Sequence, residues 1–155
     1  MQLETPLVHH FMTPDPVTLD GGLSLTDAAT RMFQAHARHL PVMIGGHLVG
    51  ILSDRDIAQV CAIKGIDPDR YTAEQAATAN PYVCTPDTPL AQAVQVLVEH
   101  KFGAALVMER GELRGILTVI DAMEALLAVL HRDAARAADP AHDWRLARPR
   151  ARATA

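Results

Sequence analysis

Two phrases of the chain carry residue types that could handle a polar ligand. Gly50-Ile51-Leu52-Ser53-Asp54-Arg55-Asp56 and Gly115-Ile116-Leu117-Thr118-Val119-Ile120-Asp121 each place a hydroxyl after an apolar run and a carboxylate three residues later. If the hydroxyl ends a strand and the carboxylate lies on the first turn of a helix, two chemistries follow from the same spacing. One is local: the hydroxyl accepts from backbone N–H groups and the carboxylate reaches back to form a capping box. The other is recognition: a carboxylate accepts from two adjacent sugar hydroxyls, and a helix N-terminus offers N–H groups and positive potential to a phosphate. The spacing permits both. Arg55 can meet a phosphate, or can be a solvated arginine paired with a nearby carboxylate. Asp54 would repel a phosphate if it faced the same way.

Other chemistry is thinner. The chain has eight histidines (His9, His10, His36, His39, His47, His100, His131 and His142) and two cysteines, Cys61 and Cys84. Imidazole and thiolate bind zinc, but no tight pair has a second pair nearby. His36 and His39 straddle the expected end of a helix. Cys61, beside Ile57, Ala58 and Val60, reads as a small core residue. No metal site is expected, and the two cysteines read as reduced thiols of a cytoplasmic protein. No nucleophile elbow, phosphate loop or Cys–His signature occurs, so no catalysis is expected. Glu74, Glu99, Glu109, Glu112 and Glu124 read as solvated surface.

The elements that must position these residues emerge when the chain is compared with itself. Shifted by 65 residues, Ser24–Ala58 lies on Pro89–Met123 without a gap, and ten of the 35 positions are identical. Chance would give about two or three at ordinary composition. Upstream, Val17-Thr18 falls on Val83-Cys84 if the first copy has one extra residue near Gly21-Gly22. Each copy reads β-α-β-β-α. A short strand (Val17–Leu19, Val83–Thr85) precedes an amphipathic helix with apolar residues at helical spacing, Leu25 to Phe33 and Leu90 to Val98. Ser24 with Asp27 marks a capped start. Two strands follow, joined by turns at Gly45-Gly46 and Arg110-Gly111. A second helix starts after Ser53, expected to run to Lys64 and stop at Gly65, and after Thr118, expected to pass His131. Thr72 and Gln75 announce a short capped helix in the linker. Thr5-Pro6 suggests a matching helix over Leu7–Met12.

The residues then resemble a known family. Phe11-Met12-Thr13-Pro14-Asp15-Pro16-Val17-Thr18, Arg38-His39-Leu40-Pro41-Val42 and the two closing phrases, in this order and duplicated over residues 7–130, resemble a tandem CBS-domain pair, or Bateman module. The resemblance implies an α/β (α+β) fold of two β-α-β-β-α repeats packed with pseudo-two-fold symmetry. It implies an adenosyl ligand (AMP, ADP, ATP or S-adenosylmethionine) in clefts between the repeats, a homodimer, and sensing rather than catalysis. By its motif Ser53 and Asp56 in the first site, and Thr118 and Asp121 in the second, would hold ligand. Backbone around Thr18 and Pro41 would flank the base, with Cys84 and Leu106 as equivalents. The second copy has Gly103-Ala104-Ala105-Leu106 where the first has Arg38-His39-Leu40-Pro41, so the two sites should differ. The second would prefer an uncharged nucleoside or stay empty.

The expected divisions are 1–66 for the first repeat with its N-terminal helix, 67–80 for the linker, 81–136 for the second repeat and 137–155 for a basic, frayed tail. With 155 residues and 49% hydrophobic content, there is material for a core, and full-length disorder is excluded. No uncharged run of 18 apolar residues and no secretory signal is present, so no membrane association is expected. The net charge is −4, which argues against nucleic-acid binding by the whole chain. Charge is uneven: residues 131–155 hold six arginines against three aspartates, while residues 1–130 are acidic. Two functions remain. The chain is a sensor that signals to a partner protein, or it is a constitutive dimeric adaptor with vestigial clefts acting through its Arg-rich tail, where Trp144 stands alone.

Overall fold

The hairpin turns fix the register of each repeat. In the computed structural model, which describes residues 5–134, β3 (His39–Ile44) pairs antiparallel with β4 (His47–Ser53), and β6 (Ala104–Glu109) with β7 (Glu112–Thr118). Gly45 and Gly46 both have positive φ, as do Arg110 and Gly111. Two left-handed residues in a row give the tight turn whose twist suits a hairpin. Each hairpin shifts register at the same place, between Val42 and Met43 and between Val107 and Met108.

A two-residue strand enters each hairpin in parallel. β2 (Leu19–Asp20) sets Leu19 opposite Val42, and β5 (Val83–Cys84) sets Cys84 opposite Val107. Val42 and Val107 are equivalent, so Leu19 matches Cys84. The offset of 65 therefore continues without the extra residue expected near Gly21-Gly22. Thr18 matches Val83, not Cys84. The similar pairs Val17-Thr18 and Val83-Cys84 suggested the wrong register, and strands this short carry too little alternation to correct it.

Four helices flank the hairpins: α1 (Leu25–Gln34) and α2 (Asp54–Cys61) in the first repeat, α4 (Leu90–His100) and α5 (Val119–Ala134) in the second. Ser24 caps α1 by accepting from the Asp27 N–H at 3.1 Å, and the helix buries Leu25, Ala28 and Met32. α2 ends at Cys61, three residues short of the expected Lys64, because the Ile63 N–H bonds to Val60 and tightens the turn. α2 buries only Ile57, and Cys61 in its last turn is exposed rather than part of the core.

The segments that precede each repeat cross-brace the molecule. The expected N-terminal helix over Leu7–Met12 is a single 3-10 turn, Val8–His10, with Leu7 rather than Thr5 at its N-cap position and the Leu7 N–H donating to His10 Nδ1 at 3.3 Å. Pro6 and Leu7 stay extended because they bond across to Leu90 and Pro89. β1 (Thr13–Pro14) then pairs antiparallel with β7. This segment adjoins the first repeat in sequence but packs on the second: Val8 is fully buried with Cys84, Ala93, Leu97, Val107 and Leu117. The linker does the same for the first repeat. α3 (Ala73–Ala76), with the expected Thr72–Gln75 capping box, buries Ala73 among Leu19, Leu25 and Val42, and Thr78 bridges to Ile51.

The result is a mixed α+β fold with sheet orders β1-β7-β6-β5 and β2-β3-β4. Each repeat has its own core. A third cluster joins them, with Ala104, Leu106 and Ile116 packed against Leu48, Ile51 and Leu113. No helix among the described residues is long and apolar enough to cross a membrane. The basic tail, residues 137–155, and its Trp144 lie outside the described residues.

The crossed packing makes a prediction. Val8→Ala removes two buried methyl groups and should cost about 2 kcal/mol in chemical denaturation. Hydrogen exchange should locate the loss in β6 and β7. Weakening confined to β3 and β4 would contradict the assignment of this segment to the second core.

Candidate functional site

Both hydroxyl–carboxylate phrases fold as capping boxes at the strand-to-helix junctions. Ser53 ends β4 and is buried. Its Oγ accepts from the Asp56 N–H at 3.1 Å, while Asp56 Oδ2 accepts from the Ser53 N–H at 2.8 Å and the Ser53 hydroxyl at 2.6 Å. Thr118 and Asp121 repeat the pattern at 3.2, 2.7 and 2.8 Å, with Asp121 buried. A cap of this kind is worth about 1 kcal/mol. It also pre-positions a carboxylate at the N-terminus of α2 and of α5, where backbone N–H groups converge. Both bonds that the Asp56 carboxylate accepts fall on Oδ2, so Oδ1 stays outside the box.

The surroundings of the two boxes differ sharply in charge. On the first, Arg38 Nε donates to Asp54 Oδ2 at 3.1 Å in an exposed pair, so the carboxylate that could repel a phosphate faces an arginine. Arg55 is exposed on the same first turn. His39 opens β3 half-buried, and its imidazole lies against Gly103, where a Cβ would overlap it. Burial holds the His39 pKa below its ordinary value. Asp54 and Asp56 oppose the shift, and Arg38 and Arg55 add to it. The ring is therefore neutral near pH 7. On the second box the matching positions are Gly103, Ala104, Val119 and Ile120. One junction is polar and mixed in charge; the other has small or apolar residues at those four positions.

The remaining expected site residues separate. Thr18 is half-buried, and its carbonyl accepts from Arg31 Nε at 3.2 Å. Pro41 is fully buried in β3 opposite Ile51, one step before the Leu19–Val42 pair, which puts it alongside Thr18. In the second repeat Val83 pairs with the buried Leu106. Val83, partly exposed, holds the place that matches Thr18. The Cys84 side chain instead enters the second core, and burial pushes its thiol up to about 11. In the sequence His39 stood out as part of the phrase Arg38-His39-Leu40-Pro41 and in the i, i+3 pair with His36. That it reaches across to the other repeat was not readable, since the contact spans 64 positions. Among the described residues no three His, Cys, Asp or Glu side chains are grouped to hold a metal ion.

Comparison with known proteins extends this geometry. The family model for the CBS domain matches residues 8–62 and 73–128. A CBS domain-containing protein of Arabidopsis thaliana, CBSCBSPB2, is 30% identical over 107 residues, covering 66% of this chain and 19% of that one. A homoserine O-acetyltransferase of Methanohalophilus mahii is 31% identical over 109 residues, covering 69% and 22%. The chain thus spans about a fifth of the length of the curated relatives it matches. The solved structure of CBSX2 in complex with AMP shares 27% identity, covers 79% of this chain and 97% of that one, and superimposes with a TM-score of 0.70.

His39 gives a pH signature. Its folded pKa lies below the unfolded value of 6.5, so the unfolded chain binds the proton first. Its contribution to stability is present in full above pH 6.5 and is lost as pH falls through the folded value. The difference in unfolding free energy between wild type and His39→Gln, followed from pH 7.5 to 5, should shrink as pH falls. A difference that stays constant or grows would contradict the buried, neutral imidazole.

Proposed function

The chain belongs to the CBS-domain family, and from that premise we propose that it is a regulatory module that binds an adenosyl nucleotide between its repeats and signals to a partner protein. CBS-domain pairs are generally regulatory rather than catalytic. The observation that carries the reading is the Ser53–Asp56 box at the head of α2, with Arg55 and His39 beside it. Asp56 would take the ribose hydroxyls through its outer oxygen. Ser53, the α2 N-terminus and Arg55 would meet phosphate, and backbone near Thr18 and Pro41 would flank the base. The AMP complex of the CBSX2 relative supports a nucleotide ligand. In the second cleft Thr118 and Asp121 offer a ribose contact, with Val119 and Ile120 in the places of Asp54 and Arg55. That arrangement suits an uncharged nucleoside or no ligand.

On this reading AMP, ADP, ATP and S-adenosylmethionine are the ligands to test, the module is a cytoplasmic homodimer, and neither membrane nor nucleic acid is a partner. Ligand would act by shifting how the two repeats pack, to the extent of its differential affinity for the two arrangements. The third hydrophobic cluster and the His39–Gly103 contact are the places where such a shift would register.

Thermal unfolding against the four compounds tests this. A ligand at 100 times its Kd stabilises by about 2.7 kcal/mol, which should raise Tm by roughly 5–10 °C for a chain of this size. Asp56→Ala should abolish the rise produced by a phosphate-bearing ligand, and Asp121→Ala should leave it. Cooperative unfolding with no rise for any of the four would favour the adaptor reading, with vestigial clefts and contacts through the tail.

A further inference from the structure

His39 stands between the two strand-to-helix junctions. In the β3–β4 ladder it lies directly opposite Ser53, whose hydroxyl closes the first box, and side chains so paired are neighbours on one face of the sheet. Its ring tip meets Gly103 of the second repeat so closely that a Cβ there would fall on Nε2 and Cε1. The Gly103 carbonyl in turn accepts from the Val119 N–H at 3.1 Å, at the head of α5. The imidazole thus reaches from the head of α2 towards that of α5. Among the described residues neither ring nitrogen has a hydrogen-bond partner, and neither is sealed from solvent. At the equivalent place the second repeat carries Ala104, opposite Thr118.

We propose that His39 reads the phosphate of a ligand in the first cleft, taking a proton from solvent as the phosphate arrives and donating to it, so that nucleotide affinity rises as pH falls. The groups around the ring leave it poised between its two forms. Burial holds it neutral, Asp54 and Asp56 on α2 favour the imidazolium, and Arg38 and Arg55 oppose it. On the side of the second repeat, Asp121 is held in its own box and Lys101 is exposed. Two carboxylates therefore stand against two guanidiniums, and a phosphate monoester adds a charge of about −1.5 to −2 at pH 7. That addition tips the ring towards the imidazolium, whose two N–H groups both donate and whose charge strengthens the bond. A His39 that only fills the space over Gly103 would keep its ionisation whether or not phosphate is bound. The second cleft, with Ala104 in this place, has no counterpart.

The inference rests on the nucleotide site of the proposed function, and its test separates the two. The probes are AMP and adenosine, which differ only in the phosphate. The His39 Cε1–H resonance is identified by its loss in His39→Gln, or through backbone assignment of the wild type if that variant does not fold. It is followed against pH in the full chain, free and with each compound. AMP should raise its midpoint by ~1 pH unit or more, and adenosine should not. In calorimetric titrations with AMP, the affinity of wild type relative to His39→Gln should rise ~threefold or more from pH 7.5 to pH 6. Taking the ratio cancels the ionisation of the phosphate itself. A midpoint that bound AMP leaves unmoved, one that adenosine raises equally, or a ratio flat with pH overturns the inference and leaves the nucleotide reading standing. A wild-type chain that binds no AMP overturns both.

Discussion

The capping box at each strand-to-helix junction is the interaction on which the rest of the arrangement depends. One carboxylate oxygen accepts from both the N–H and the hydroxyl of the residue that ends the strand, and that hydroxyl accepts from the carboxylate's own N–H. This closed set of bonds stops β4 and β7 at fixed residues and starts α2 and α5 on the next one. It leaves a carboxylate in one orientation beside a helix N-terminus. On the proposed reading, local stability and ligand readiness come from the same three bonds, which is why spacing alone left the two readings open.

Duplication sets two such junctions in one chain, and their neighbours differ. The first gathers Arg38, His39, Asp54 and Arg55; the second has small or apolar residues at those places. His39 ties this asymmetry to the packing of the repeats, since the ring that faces the first box also lies against Gly103 of the second repeat.

Much of this was legible in the sequence because it is local. Ser24–Asp27, Ser53–Asp56, Thr72–Gln75 and Thr118–Asp121 announce their helices through residues three apart, and each forms the expected cap. The glycine turns and the hairpins they close were equally plain. What escaped was set by contacts distant in sequence or by strands too short to have a pattern. β2 and β5 have two residues each, so only their pairing with β3 and β6 equates Leu19 with Cys84 and sends the Cys84 thiol into the core. The docking of Val8 on the second repeat depends on Pro86, Thr88 and Leu90, far along the chain. A capped helix expected at Thr5-Pro6 gave way to extended backbone for the same reason.

The central claim is that the first junction reads a phosphate through Ser53, Arg55 and the α2 N-terminus while Asp56 holds the sugar. Calorimetric titration of the wild-type chain with AMP and with adenosine tests it most directly. The account predicts one AMP site per chain, with adenosine binding there at least tenfold more weakly for want of the charge-assisted contacts. Equal affinity for AMP and adenosine, or no heat with either, would contradict it.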